Sequence, residues 1–227
     1  MILKAENISK KFPRKLKEAN FFYAVNPLDF TLEQGKVTEI IGRSGSGKTT
    51  LLNMLSGLLS PSDGSVMLDE NDIYSLPDKE LSALRNEHFG VVPQGHTGLE
   101  NLTVLENVLL PYALYHKDNG AEKKAFELLE RVDILNLAEA YPSELSGGEV
   151  RRLAIARALI MNPEFVFADE PTGDLDDENT ESVLQLFREL ADDGTAVLLV
   201  THEAEAKKIA DIIYKMNSGK IELVSGC

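Results

Sequence analysis

The chain has 227 residues, 43% hydrophobic and 26% charged, a balance that excludes disordered and fibrous classes and suits one large domain, or a domain with an embedded subdomain. Its 37 acidic against 23 basic residues give a formal net charge of −14, which argues against nucleic acid or an anionic lipid surface as partner, since both need a basic face. A single cysteine, Cys227, excludes an internal disulfide, no apolar run approaches the ~18 residues of a membrane span, and the first seven residues lack a signal-peptide pattern, so a soluble cytoplasmic protein is expected.

Residues 2–8 and 23–32 alternate apolar with polar side chains, the period of half-buried antiparallel strands. A turn at 33–36 leads into an apolar strand at 37–41, which runs straight into a glycine-rich stretch and a helix from Lys48 to about Leu58, ended by Pro61 and Gly64. Helical periodicity dominates from 77 to about 162, with helices predicted at 78–87, 104–115, 121–132 and 149–161 and a strand at 89–92. This predicts a helical subdomain at about 94–162 within a single domain spanning 1–227. Two short apolar runs, 165–168 and 196–200, flank a helix at about 179–192 and suit central parallel strands buried on both faces.

The residues Gly42, Arg43, Ser44, Gly45, Ser46, Gly47, Lys48 and Thr49 match the phosphate-binding pattern G-x-x-x-x-G-K-[ST], between a predicted strand and helix as that chemistry requires. Glycines let consecutive N–H groups converge on a polyphosphate, and the helix N-terminus adds positive potential. Lys48 then reaches the β- and γ-phosphates, and Thr49 offers a hydroxyl to Mg²⁺. The run 165–168 delivers Asp169 and Glu170 at a strand's C-terminal end, where α/β sheets place ligands. Asp169 suits a hard cation, and Glu170 suits orienting or deprotonating a water.

Leu145-Ser-Gly-Gly-Glu149 resembles the signature of the ATP-binding-cassette (ABC) ATPases. Read by themselves, Ser146 and Glu149 form a capping box at a helix start, which also leaves N–H groups open as a second anion site. Val92-Pro-Gln94 resembles the family's Q-loop, Glu170-Pro-Thr-Gly-Asp-Leu-Asp176 contains its D-loop, and Val200-Thr-His202 resembles its switch histidine, all in family order over almost the whole chain.

The resemblance implies an α/β P-loop ATPase core with an antiparallel β subdomain and a helical subdomain, hydrolysing ATP with Mg²⁺. It implies a head-to-tail dimer with ATP between the Lys48 loop of one copy and Ser146, Gly147, Gly148 and Glu149 of the other, coupled to a separate transmembrane permease at the inner face of the cell membrane. By the same resemblance Thr49, Gln94 and Asp169 hold Mg²⁺, and Thr50 touches the α-phosphate. Gln94 reports nucleotide state, Asp176 lies at the dimer interface, and Glu170 and His202 are catalytic. Phe12, or alternatively Tyr23, stacks on adenine. His88, His96 and His116 match no motif.

Two departures stand out: Glu149 where glutamine is commoner, and Val150-Arg-Arg152 in place of a glutamine-rich stretch. The segment ending at Asp176, with Asp174 where asparagine is frequent, and the run 101–111 resemble the branch serving lipoprotein release, antimicrobial-peptide or macrolide export, and the related cell-division ATPase. An energy-coupling export subunit is the expectation; the alternative is a non-transport ABC ATPase, either a cell-division regulator or a soluble iron–sulfur assembly ATPase.

Overall fold

The computed structural model describes residues 1–13, 21–95, 97–118, 120–173, 175–201 and 205–226; His96, Asp174, His202 and Cys227 fall outside them. In chain order the elements are β1 (Leu3–Pro13), β2 (Phe21–Leu32), β3 (Val37–Ile41), α1 (Lys48–Leu55), β4 (Asp63–Leu68), β5 (Asn71–Asp72), α2 (Asp78–His88), β6 (Phe89–Val92), α3 (Val104–Ala113), α4 (Glu122–Arg131), α5 (Gly147–Leu159), β7 (Phe165–Asp169), α6 (Asp177–Asp192), β8 (Ala196–Val200), β9 (Ile212–Asn217) and β10 (Lys220–Gly226).

A six-stranded sheet in the order β10-β9-β3-β8-β7-β6 forms the centre, parallel throughout except for the β9/β10 hairpin. Strands β7 and β8 are buried along their whole length, as continuous apolar runs require. Their side chains alternate between two cores. Phe165, Phe167, Leu198 and Val200 pack with α1 and the second sheet, whereas Val166, Ala168, Val197 and Leu199 pack with α3, α5 and α6. The three helices α3, α4 and α5, inserted between β6 and β7, thus share a core with one sheet face. The register Asp169↔Val200 and Ile40↔Val200 brings the C-terminal ends of β3, β8 and β7 to one edge. Among the described residues no helix is long and apolar enough to cross a membrane.

The second sheet is antiparallel, in the order β2-β1-β4-β5. Strand β1 continues to Pro13, past the predicted end at residue 8, because bulges between Ala5 and Lys11 break the two-residue period. Gly64 opens β4 rather than terminating a helix: with φ +83 it approaches the Asn7 backbone so closely that a Cβ would collide. Helix α1 stops at Leu55, short of the predicted 58, where Ser56 caps it and Gly57 turns left-handed. At the start of α6, Asp176 accepts a hydrogen bond from Asn179 N, so the helix begins two residues earlier than predicted.

Candidate nucleotide site

The loop between β3 and α1 rims a cleft of about 910 Å³. Every residue from Gly42 to Thr50 lines it, together with Phe12, Phe22, Tyr23, Ala24, Gln94, Asp169, Glu170, Ser218 and Gly219. Gly47 caps α1 at φ +111, where a Cβ would strike the Ala24 carbonyl oxygen, so only glycine lets β2 approach the loop this closely. The Gly219 N–H donates to Ser46 O at 2.8 Å, fixing the loop from the β9/β10 turn. Lys48 is buried and donates to Gly42 O at 2.8 Å and Arg43 O at 3.4 Å. An ammonium has three protons, so one is left to meet a phosphate oxygen.

The Thr49 hydroxyl hydrogen-bonds the Asp169 carboxylate, joining the start of α1 to the end of β7. Burial pushes the Asp169 carboxyl above its ordinary value, opposed by the Thr49 bond and by the positive charges of Lys48 and Arg151. Hydroxyl and carboxylate oxygens are the donors a hard divalent cation takes.

Glu170 follows at φ +51, a left-handed conformation costing a non-glycine residue about 1 kcal/mol. Its N–H donates to Val200 O at 2.7 Å, tying the carboxylate's backbone to the end of β8, just before His202. Its Oε2 is sealed from solvent.

Ser146, Gly147 and Gly148 lie away from this cleft, on a separate concavity of about 550 Å³ lined also by Arg152, Leu175, Asp176 and Asn179. Ser146 caps α5. Its N–H and Oγ donate to Glu149 Oε2 at 2.6 and 2.8 Å, and these bonds hold the Glu149 carboxyl below its ordinary value. One chain thus places the glycine-rich loop and the start of α5 on two separate concavities, and it does not bring Lys48 and Ser146 together.

On the β1/β2 ribbon, Phe12 and Phe22 are cross-strand neighbours with ring centroids 6.0 Å apart. The Tyr23 ring sits edge-on to Phe21 at 5.8 Å beneath Lys11 Nζ. Elsewhere, His88 Nδ1 lies 3.1 Å from Glu164 Oε2, and His116 stacks on Tyr112. Phe22, Ala24, Ser218 and Gly219 were not expected in the cleft from sequence. Only the Asn217-Ser-Gly turn chemistry could have pointed to the last two.

A family-wide sequence description, ABC transporter, matches residues 25–173. The chain is 38% identical to the lipoprotein-releasing system ATP-binding protein LolD of Buchnera aphidicola subsp. Schizaphis graminum, over 97% of this chain and 96% of that protein. It is 39% identical to LolD of Francisella tularensis subsp. tularensis, over 99% and 97%. Its fold superposes with a TM-score of 0.91 and 34% identity, covering 99% of this chain and 100% of the other, on a dimeric ATP-binding cassette in a post-hydrolysis state bound to ADP and Pi. With the phosphate loop, the Asp169–Glu170 strand end and the Ser146 cap all in place, the chain belongs to the ABC transporter family, as one of its ATP-hydrolysing cassettes.

Proposed function

We propose that this chain is the ATPase subunit that powers lipoprotein release through a separate membrane-spanning permease, working as a head-to-tail pair of identical copies at the inner face of the membrane. The separation of the Lys48 and Ser146 half-sites on one chain carries the pairing, since each is completed only by the other half from a second copy. The full-length likeness to LolD proteins supports the substrate class, and likeness to transporter cassettes favours this reading over a soluble assembly ATPase.

ATP lies with adenine on Phe12 and its phosphates among the N–H groups of residues 43–50, where the α1 dipole contributes roughly half a positive charge. Lys48 turns its remaining proton to the oxygens between the β- and γ-phosphates. Thr49, Gln94 and Asp169 would hold Mg²⁺, which when bound would supply positive charge to the phosphate oxygens. Glu170 orients the attacking water in line with the γ-phosphate and takes its proton, while His202 donates to a γ-phosphate oxygen. Ser146 and the N–H groups at the start of α5 in the second copy close the site, with Asp176 beside them.

The test is Glu170→Gln protein. It should bind ATP but hydrolyse it at least about a hundredfold more slowly, and with Mg-ATP it should retain a multi-span permease through purification from native membranes. Hydrolysis at the wild-type rate would remove Glu170 from the role, and recovery of soluble partners alone would favour an assembly ATPase.

A further inference from the structure

Helix α5 starts at the signature and carries arginines whose side chains end on the loops around the nucleotide cleft. Arg151 is 5% exposed, and its Nη1 donates at 2.9 Å to the carbonyl of Pro93, the residue before Gln94. Its Nη2 lies against the turn after Glu170, 3.9 Å from where a Cβ on Gly173 would stand, and its charge is felt at Asp169. Six residues on, about 9 Å along the helix axis, Arg157 donates to Thr97 O at 2.8 Å and Thr97 Oγ1 at 3.0 Å. The segment containing Gln94 is therefore held at both ends by one rigid helix. Arg152 points to the other side, donating at 2.7 Å to Asn179 Oδ1, and Asn179 in turn bonds the Asp176 carboxylate.

Burying a guanidinium is costly unless its donors are bonded, and the planar fork of arginine can serve two neighbours at once. A glutamine at position 151 would be shorter and uncharged. Arg151 belongs to the Val150-Arg-Arg152 stretch that departs from the glutamine-rich pattern.

We propose that Arg151 is a positioning residue that locks the Gln94 loop to the signature helix, so that displacement of Gln94 by the γ-phosphate moves Ser146 with it. The proposal rests on the reading of Gln94 as a nucleotide contact. Arg151 touches neither ATP nor the attacking water. Its loss should leave nucleotide binding by the single chain intact and impair the assembly of the paired site.

The experiment compares Arg151→Ala and Arg151→Lys. In Glu170→Gln protein, Arg151→Ala should keep the ATP Kd of the monomer within about twofold while weakening Mg-ATP-driven dimerisation about tenfold or more. With Glu170 restored, kcat should fall about tenfold with KM little changed, and Arg151→Lys, which keeps the charge but has a single donor nitrogen in place of the fork, should recover part of it. Hydrogen exchange should quicken at the amides of residues 94–99 while those of α5 stay protected, a readout that needs no activity. Parental dimerisation and kcat in Arg151→Ala would overturn the proposal. So would loss of monomer ATP binding together with faster exchange throughout α5, which would make the residue merely structural. Failure of the underlying reading looks different: Gln94→Ala would hydrolyse ATP at the wild-type rate, and the proposal would fall with it.

Discussion

Truncation of Phe12 to alanine separates the two candidates for the adenine platform. A base stacked on an aromatic ring gains about 1–3 kcal/mol. Phe12 lines the cleft, and its cross-strand neighbour Phe22 stands 6.0 Å away at an interplanar angle of 35°. After truncation Phe22 still offers the base an apolar surface, so the loss should fall in the lower half of that range, about 1–2 kcal/mol, or roughly 5- to 30-fold in the ATP Kd. The Tyr23 ring is engaged instead, edge-on to Phe21 at an interplanar angle of 86° with Lys11 Nζ 5.2 Å from its centre. Tyr23→Ala should therefore cost less than about threefold, and Phe12→Trp should bind at least as well as the parent. Calorimetric titration of ATP into Glu170→Gln protein measures all three, with thermal melts reporting that the ribbon remains folded. A larger loss from Tyr23→Ala than from Phe12→Ala, or no loss from either, would refute the assignment.

Glu149→Gln should tighten Mg-ATP-driven dimerisation about fivefold, because it frees the Ser146 hydroxyl from a charged acceptor at 2.8 Å and removes a negative charge from the helix start proposed to meet the γ-phosphate held by a second copy; a looser dimer in sedimentation would contradict this. Gly47→Ala should abolish ATP binding, since φ +111 and the Ala24 carbonyl both exclude a Cβ; an unchanged titration curve would show that the loop can move aside. Glu39, fully buried in β3, has its carboxyl pushed by burial to about 7 from an ordinary 4.5. The folded state then holds a proton that the unfolded chain releases, so stability falls as pH rises from 4.5 through 7, by about 2.5 kcal/mol between pH 5 and pH 8. Glu39→Gln should lack that slope in urea titrations at the two pH values, and parallel pH dependences would show that Glu39 is not its source.

The parts of this molecule legible in the sequence are those whose chemistry is local. The Gly42–Thr49 loop, the Asp169–Glu170 strand end and the Ser146–Glu149 capping box each announce themselves within a few residues, and β7 and β8 do so through unbroken apolar runs. Strand β10 is exposed along most of its length as an edge strand, so it carries no apolar period to read. The bulges of β1 interrupt its alternation past residue 8, and the glycine of β4 serves a close strand contact where the local pattern signals a helix stop. Within the cleft, Ser218 and Gly219 arrive through the β9/β10 turn and Phe22 through strand register, neither of which is visible one segment at a time. Arg151 stood in plain view as a departure from a pattern. Its role depends on which way a helical side chain points and on the loop it meets there.

The central claim is that ATP completes its site between two copies. Sedimentation equilibrium of Glu170→Gln protein tests it most directly, run with Mg-ATP, with Mg-ADP and without nucleotide, beside the same protein carrying Ser146→Arg. The account predicts a species of twice the 25.0 kDa chain mass only with Mg-ATP and only when Ser146 is intact. Monomers at saturating Mg-ATP, or a dimer indifferent to nucleotide and to Ser146, would contradict it.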